Sequence, residues 1–359
     1  MFVYVTDAEG PVVINDNAAE LFGRFVGPGY PVISKWVVYR FEIEKDTQYK
    51  PGDTLRMIVP FLKAYDVTGE AIENFSEKTL RFVPGAEETL KHIESKGTPT
   101  SIISTSYKPY VTVLCRKSNF KGDVFCTELN IDEIEITDSE KKKIKEYGKQ
   151  LALMEVPVWP EEAKSLDDME EKHILTLQQL NRMFDDILNM KIGRYVLDIN
   201  PVGGMEKLYA LKLFLEKTRA KLSNVVYFGD SITDVSVFEE LGNNGGLAVS
   251  FNGNKPAVER AEIAVVSLHT LPCSITTEAF EKNGKKGAMQ MASEWHDVVD
   301  RKALEDFGIP RSLAEQLYSL YDPEKNLPLI TVPDSNADEL VSKSEKYRKE
   351  LRGWAGSLI

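Results

Sequence analysis

Phe2-Val3-Tyr4-Val5-Thr6-Asp7-Ala8-Glu9-Gly10-Pro11 runs β-favouring residues straight into two carboxylates and a Gly-Pro turn. Alternate residues of an extended chain point to the same side, so Asp7 and Glu9 can face one ligand while Ala8 turns away. A carboxylate pair before a turn is also what an ordinary solvated strand end looks like. Its meaning therefore depends on what the other strand ends carry.

Working outward, residues 13–79 read as helical. Asn17 can cap a helix carrying Ala18, Leu21, Phe22, Phe25 and Val26 on one face, and further helices start near Pro31 and Asp53 and cover Glu70 to Lys78. From Pro84-Gly85 the pattern alternates. A helix to Lys96 is stopped by Gly97, a strand runs from Thr98 to Ile103 into Ser104-Thr105-Ser106, a helix starts near Pro109, and a short strand covers Val124 to Glu128. Residues 137–190 are helical and charged. Alternation then resumes with strands at Tyr195 to Ile199 and Asn224 to Phe228, separated by a Gly203-Gly204 turn and a helix over Met205 to Lys217; later strands fall at Leu247 to Phe251 and Ala264 to Val266. The last ninety residues read as mostly helical and end on a basic segment, Lys343 to Arg352, for which packing and partner contact are both open. Strands alternating with helices imply an α/β fold with a parallel sheet, whose ligands sit at the carboxyl ends of the strands.

Composition bounds the rest. A chain of 359 residues suggests about two domains, and 42% hydrophobic with 28% charged residues is globular. The net charge of -12 argues against a nucleic-acid partner, which needs clustered Lys and Arg. Cys115, Cys126 and Cys273 form no CxxC, and the four histidines show no metal spacing. The first residues read as a strand and not as a signal peptide, and no apolar run approaches a membrane span, so no membrane insertion and a cytoplasmic location are expected.

Strand ends thus carry Asp7 and Glu9, Ser104, and Asp230 with Asp234, and Lys207 opens a helix after a glycine turn. Carboxylates for Mg²⁺, a hydroxyl and an ammonium are the parts that phosphoryl transfer needs. In this order the four motifs resemble the haloacid dehalogenase-like (HAD) superfamily. Val83-Pro84-Gly85-Ala86, and Gly246-Leu247-Ala248-Val249 with Asn252, extend the resemblance over residues 1 to 267. Thr6 to Pro11, Ser104 to Tyr107, Phe251-Asn252-Gly253-Asn254 and Leu351-Arg352-Gly353-Trp354-Ala355-Gly356 look like an archaeal branch that includes proteins named as subunit R of energy-converting hydrogenase A.

The resemblance implies a Rossmann-like core built from residues 1–12, 80–136 and 191–270, a helical cap at 13–79, a second helical insertion at 137–190 and a helical extension at 271–359. It implies a Mg²⁺-dependent phosphatase of a small phosphorylated metabolite. Asp7 takes the place of the nucleophile that forms an aspartyl-phosphate. Asp7, Asp230, Asp234 and the backbone carbonyl of Glu9 would hold the metal, and Ser104, Lys207 and Asn252 the phosphate. Glu9 stands where the family has a second Asp as acid/base, and Pro11 where it has Thr. The alternative implied by the archaeal branch is a non-catalytic accessory or regulatory subunit associated with a hydrogenase complex.

Overall fold

The computed structural model describes residues 1–160, 162–300, 302–322, 326–334 and 337–353. A single seven-stranded sheet runs through it: β1 (Val3–Thr6), β2 (Thr100–Tyr107), β3 (Asp123–Thr127), β4 (Val225–Gly229), β5 (Leu247–Phe251), β6 (Ile263–Val266) and β7 (Leu329–Thr331), in the order β3-β2-β1-β4-β5-β6-β7. All neighbours are parallel except β6 and β7. A parallel sheet is covered on both faces, so its strands are apolar throughout. Val3 and Val5 bury against Leu211 and Phe214 of the helix Met205–Thr218, while Tyr4 faces the other way and packs its ring 5.4 Å from Phe228. Chain order reverses at β1, which lies between β2 and β4; such a switch point opens a crevice at the carboxyl ends of the strands. Asp7 lies at that crevice, its amide bonded to Phe228 O at 2.8 Å.

The helices expected before Pro84 form as Asn17–Phe25, Tyr30–Val38, Thr54–Ala64 and Gly69–Thr79, with a π turn at Tyr39–Ile43. Their buried faces share one apolar cluster with the helices Asp138–Leu151 and Glu171–Asn189, so the two insertions pack as a unit over the sheet's carboxyl edge. Phe184 stacks on Trp36 with ring centroids 4.1 Å apart, and Trp36 Nε1 donates to Asn181 Oδ1 at 2.7 Å.

Three expectations need correction. Tyr195 to Ile199 is not a strand: Gly193–Asp198 is a short helix, because Ile192 and Val196 bury into the cap cluster. The strand ending near Ile103 continues to Tyr107 with a register shift after Ser104, so the Ser104-Thr105-Ser106 stretch is strand and not loop. The extension is helical at Leu271–Ser293, Trp295–Asp300, Arg311–Leu320 and Asp338–Arg352, yet it also supplies β7, three residues that cap the sheet edge antiparallel to β6. Trp354 to Gly356 of the archaeal motif lie outside the described residues. Among the described residues, no helix is long and apolar enough to cross a membrane.

If the Trp36–Phe184 stack joins the insertions, Phe184→Ala should cost about 3–5 kcal/mol. Denaturant unfolding measures this; a loss below about 1 kcal/mol would mean that the two blocks do not depend on one another.

Candidate functional site

Each strand end delivers what the sequence placed there. Asp7 leaves β1 with its carboxylate held by the Ala8 amide (2.6 Å to Oδ1) and by Lys207 Nζ (2.5 Å to Oδ2). Lys207 stands in the first turn of its helix, is wholly buried, and bonds Asp234 Oδ1 at 2.7 Å as well. Asp234 is pinned further by the Tyr227 hydroxyl at 2.8 Å and by the amides of Asp230 and Ser231 at 3.1 Å each. It thus orients Lys207 and the turn that carries Asp230.

Glu9 Oε1 accepts from Ser106 Oγ at 2.7 Å and from the Asn17 amide at 3.0 Å. Ser104 Oγ is bonded by the Ser106 amide at 3.1 Å. Gly10 is required between the two acids: it has φ +96°, and a Cβ there would fall 2.2 Å from Asp230 Oδ2. Asp7, Glu9, Ser104 and Asp230 face a cavity of about 90 Å³ whose opposite wall is the cap. Asn252 does not take part. Its amide is spent on Ser267, donating to the carbonyl at 2.6 Å and accepting from the amide at 2.9 Å, so it braces the β5 and β6 ends and leaves the expected phosphate-binding set.

Sequence reasoning missed the largest feature. Arg348 and Arg352, on one face of the helix Asp338–Arg352, both reach Asp230 Oδ2, Arg352 at 2.8 Å. Arg348 also donates to the Asp230 carbonyl at 3.0 Å, and Arg352 to the carbonyls of Ile14 (3.2 Å) and Asn15 (2.9 Å). The i, i+4 spacing was legible; the target was not. Ser106 was missed although strand alternation puts it beside Ser104, and so was Asp16, which is buried as the cap of the helix Asn17–Phe25.

Counted together, Asp7, Glu9, Asp16, Asp230 and Asp234 are five carboxylates facing three cations, Lys207, Arg348 and Arg352, a deficit of two positive charges. Asp7, Glu9 and Asp16 respond by holding their protons more tightly. Burial raises Asp7 to about 7 against the pull of Lys207, and burial with repulsion from Asp16 raises Glu9 to about 8 against Arg352. Asp16 is raised as well, chiefly by burial. A divalent cation meets that deficit, and Asp7, Asp230 and Asp234 each offer an oxygen within 4.8 Å of the others. The donor set is all oxygen and suits Mg²⁺.

Because the folded-state values of Asp7 and Glu9 lie above the ordinary carboxylate range near 4, the folded protein binds more protons than the unfolded chain between about pH 4 and 8. Without metal, stability should therefore fall as pH rises through that window, and Mg²⁺ should raise Tm more at pH 8.5 than at pH 5.5, since it replaces the lost protons. Equal Mg²⁺ shifts at both pH values would contradict this. Arg352→Gln should cost about 1–3 kcal/mol in metal-free protein by removing the donor to the Ile14 and Asn15 carbonyls and one of the two guanidinium partners of Asp230. Mg²⁺ should stabilise the variant more than the parent, and denaturant titration with and without the ion reads both.

The chain matches a family model for haloacid dehalogenase-like hydrolases over residues 86–267, just over half of its length. No curated protein matches it. Among solved structures, gene product AF1437 from Archaeoglobus fulgidus superposes with a TM-score of 0.77 at 23% identity, covering 99% of this chain and 98% of that one. Two weaker matches are a HAD family hydrolase from Salmonella enterica serovar Typhi, with TM-score 0.44, 12% identity, and 72% and 65% of the two chains covered, and a substrate-bound phosphoserine phosphatase, with TM-score 0.42, 18% identity, and 73% and 91% covered. With the family model spanning just over half of its length, the chain belongs to the haloacid dehalogenase-like hydrolases.

Proposed function

We propose that the protein is a Mg²⁺-dependent phosphomonoester hydrolase that acts on a small phosphorylated metabolite through an aspartyl-phosphate on Asp7. The observation that carries this reading is the Asp7 carboxylate on the cavity floor, aimed by Lys207 and the Ala8 amide, with Glu9 two residues on and hydrogen-bonded by Ser106. An Asp7 oxygen attacks phosphorus in line, forming one P–O bond as the ester P–O bond breaks. Both hydrogen bonds to Glu9 fall on Oε1, which leaves Oε2 to carry the proton that its raised pKa retains near neutrality. That proton goes to the departing alcohol. Ionised Glu9 then takes a proton from the water that attacks the phosphoenzyme, releasing inorganic phosphate and restoring Asp7. Ser104 and Lys207 orient the phosphoryl oxygens. Asp7, Asp230 and the Glu9 carbonyl, with Asp234 behind them, would hold Mg²⁺, and the ion would supply positive charge for the phosphoryl group there.

Three cysteines without disulfides fit the cytoplasm as the place of work. The accessory-subunit alternative rests on motif resemblance alone, whereas the buried, mutually bonded acid cluster is costly to maintain in a protein that does no chemistry.

Hydrolysis of an aryl phosphate should require Mg²⁺ and vanish in Asp7→Asn. Glu9→Gln should slow turnover by about 10²–10⁴-fold, most for poor leaving groups, and accumulate phosphorylated Asp7 visible by intact mass after rapid quenching. Undiminished turnover in Asp7→Asn, or full activity in excess chelator, would sink the proposal.

A further inference from the structure

The two ends of the cavity differ in chemistry. All three cations of the acid cluster come from the core or the C-terminal helix, and none from the cap. Within residues 13–79 the one charged side chain that lines the cavity is Asp16, which belongs to the acid cluster; the rest of the wall is made chiefly by Tyr30, Val37, Val38, Phe41 and Leu55, with Ser34, Thr54 and the Tyr30 hydroxyl as its polar groups. The nearby cap cations are engaged elsewhere: Arg40 with Glu44 and Asp46, Arg56 with Asp53, and Lys50 with Glu206. A substrate bearing a second anion, an ammonium or several hydroxyls would leave those groups desolvated against hydrocarbon.

The backbone of this wall is shaped for the purpose. Ser34, Val38 and Phe41 follow one helical face and are each half-buried, in contrast to the fully buried Trp36 and Tyr39 between them. The π turn at Tyr39–Ile43 widens the helix where Phe41 lines the cavity, a distortion that recurs at functional sites.

Resting on the phosphohydrolase reading, we infer that the substrate is the phosphate monoester of a short, uncharged, mainly hydrocarbon alcohol, its phosphoryl group over Asp7 and its carbon chain against Val38, Phe41 and Leu55. The small cavity, about 90 Å³, keeps the chain short. Each methylene transferred from water to this wall is worth about fourfold in affinity.

The test pairs binding with turnover. Alkylphosphonates from methyl to butyl have a P–C bond that an aspartate nucleophile does not cleave, so calorimetry with Mg²⁺ reads their binding alone. Methyl to butyl phosphate, phosphoserine, glycerol 3-phosphate and glucose 6-phosphate are assayed in parallel. Phosphonate Kd and ester kcat/KM should both improve about fourfold per methylene, butyl phosphate should exceed the polar esters at least tenfold, and Phe41→Ser should flatten the slope below twofold per methylene. A flat phosphonate series, or a polar ester preferred over butyl phosphate, overturns the substrate class and leaves Asp7-dependent hydrolysis standing. A steep phosphonate series with no ester hydrolysed in an Asp7-dependent way has the opposite meaning: the hydrocarbon wall is confirmed as a binding surface and the hydrolase reading falls.

Discussion

A lysine ammonium with no exposure to solvent sits between Asp7 and Asp234, and the geometry at the sheet's carboxyl edge follows from it. Burying one charge is costly, and burying two carboxylates that repel each other is worse unless a cation pairs with both. Lys207 solves this by bridging β1 to the turn after β4, two segments that neighbour each other only because the strand order reverses between them. Tyr227 and two backbone amides complete the shell of Asp234, so Lys207 has one position to occupy and Asp7 one direction to face. The Asp7 carboxylate is thus aimed by the same contacts that make its burial tolerable.

The C-terminal helix closes the charge balance from the other side. Ser344 donates to the Gly253 carbonyl at 2.7 Å, Arg348 and Arg352 hold Asp230, and Arg352 continues to the carbonyls of Ile14 and Asn15. One helix therefore ties the loops after β1, β4 and β5 together. Among the described residues, Arg348 keeps Nε and Nη2 without an acceptor, and its pKa is lowered chiefly by burial, so the arrangement holds more donor capacity than its present partners use.

Above this floor the cap reverses the chemistry. Its helices carry a wide apolar face, part of which fills the Trp36–Phe184 cluster and part of which is left for the cavity. Gly203 marks how closely the layers meet: a Cβ there would lie 2.3 Å from the Pro51 carbonyl, so only glycine lets the cap loop settle against the entry to the Lys207 helix. Charged groups and hydrocarbon thereby face the cavity from different layers.

Local chemistry was enough for much of this. Period-2 alternation and turn residues placed Asp7, Glu9 and Asp230 just past strand ends and Ser104 near the end of its strand, and helical periodicity found most of the cap, because those signals act between residues a few positions apart. Where a long-range partner decided the outcome, sequence misled or stayed silent. Tyr195 to Ile199 has strand-like residues but becomes helix because the cap cluster takes Val196. Asn252 sits in a motif that suggests phosphate, yet Ser267 claims both ends of its amide. β7 is too short to show a period, and it pairs only because the β6 edge is open to it. Arg348 and Arg352 belong to a basic segment for which packing and partner contact were both open, since their counter-charge, Asp230, is 118 and 122 residues away. The sequence by itself thus determined which groups stand at the strand ends; only the tertiary structure decided which charges meet there, because the energy of a buried charge depends on its neighbours in space and no local pattern encodes them.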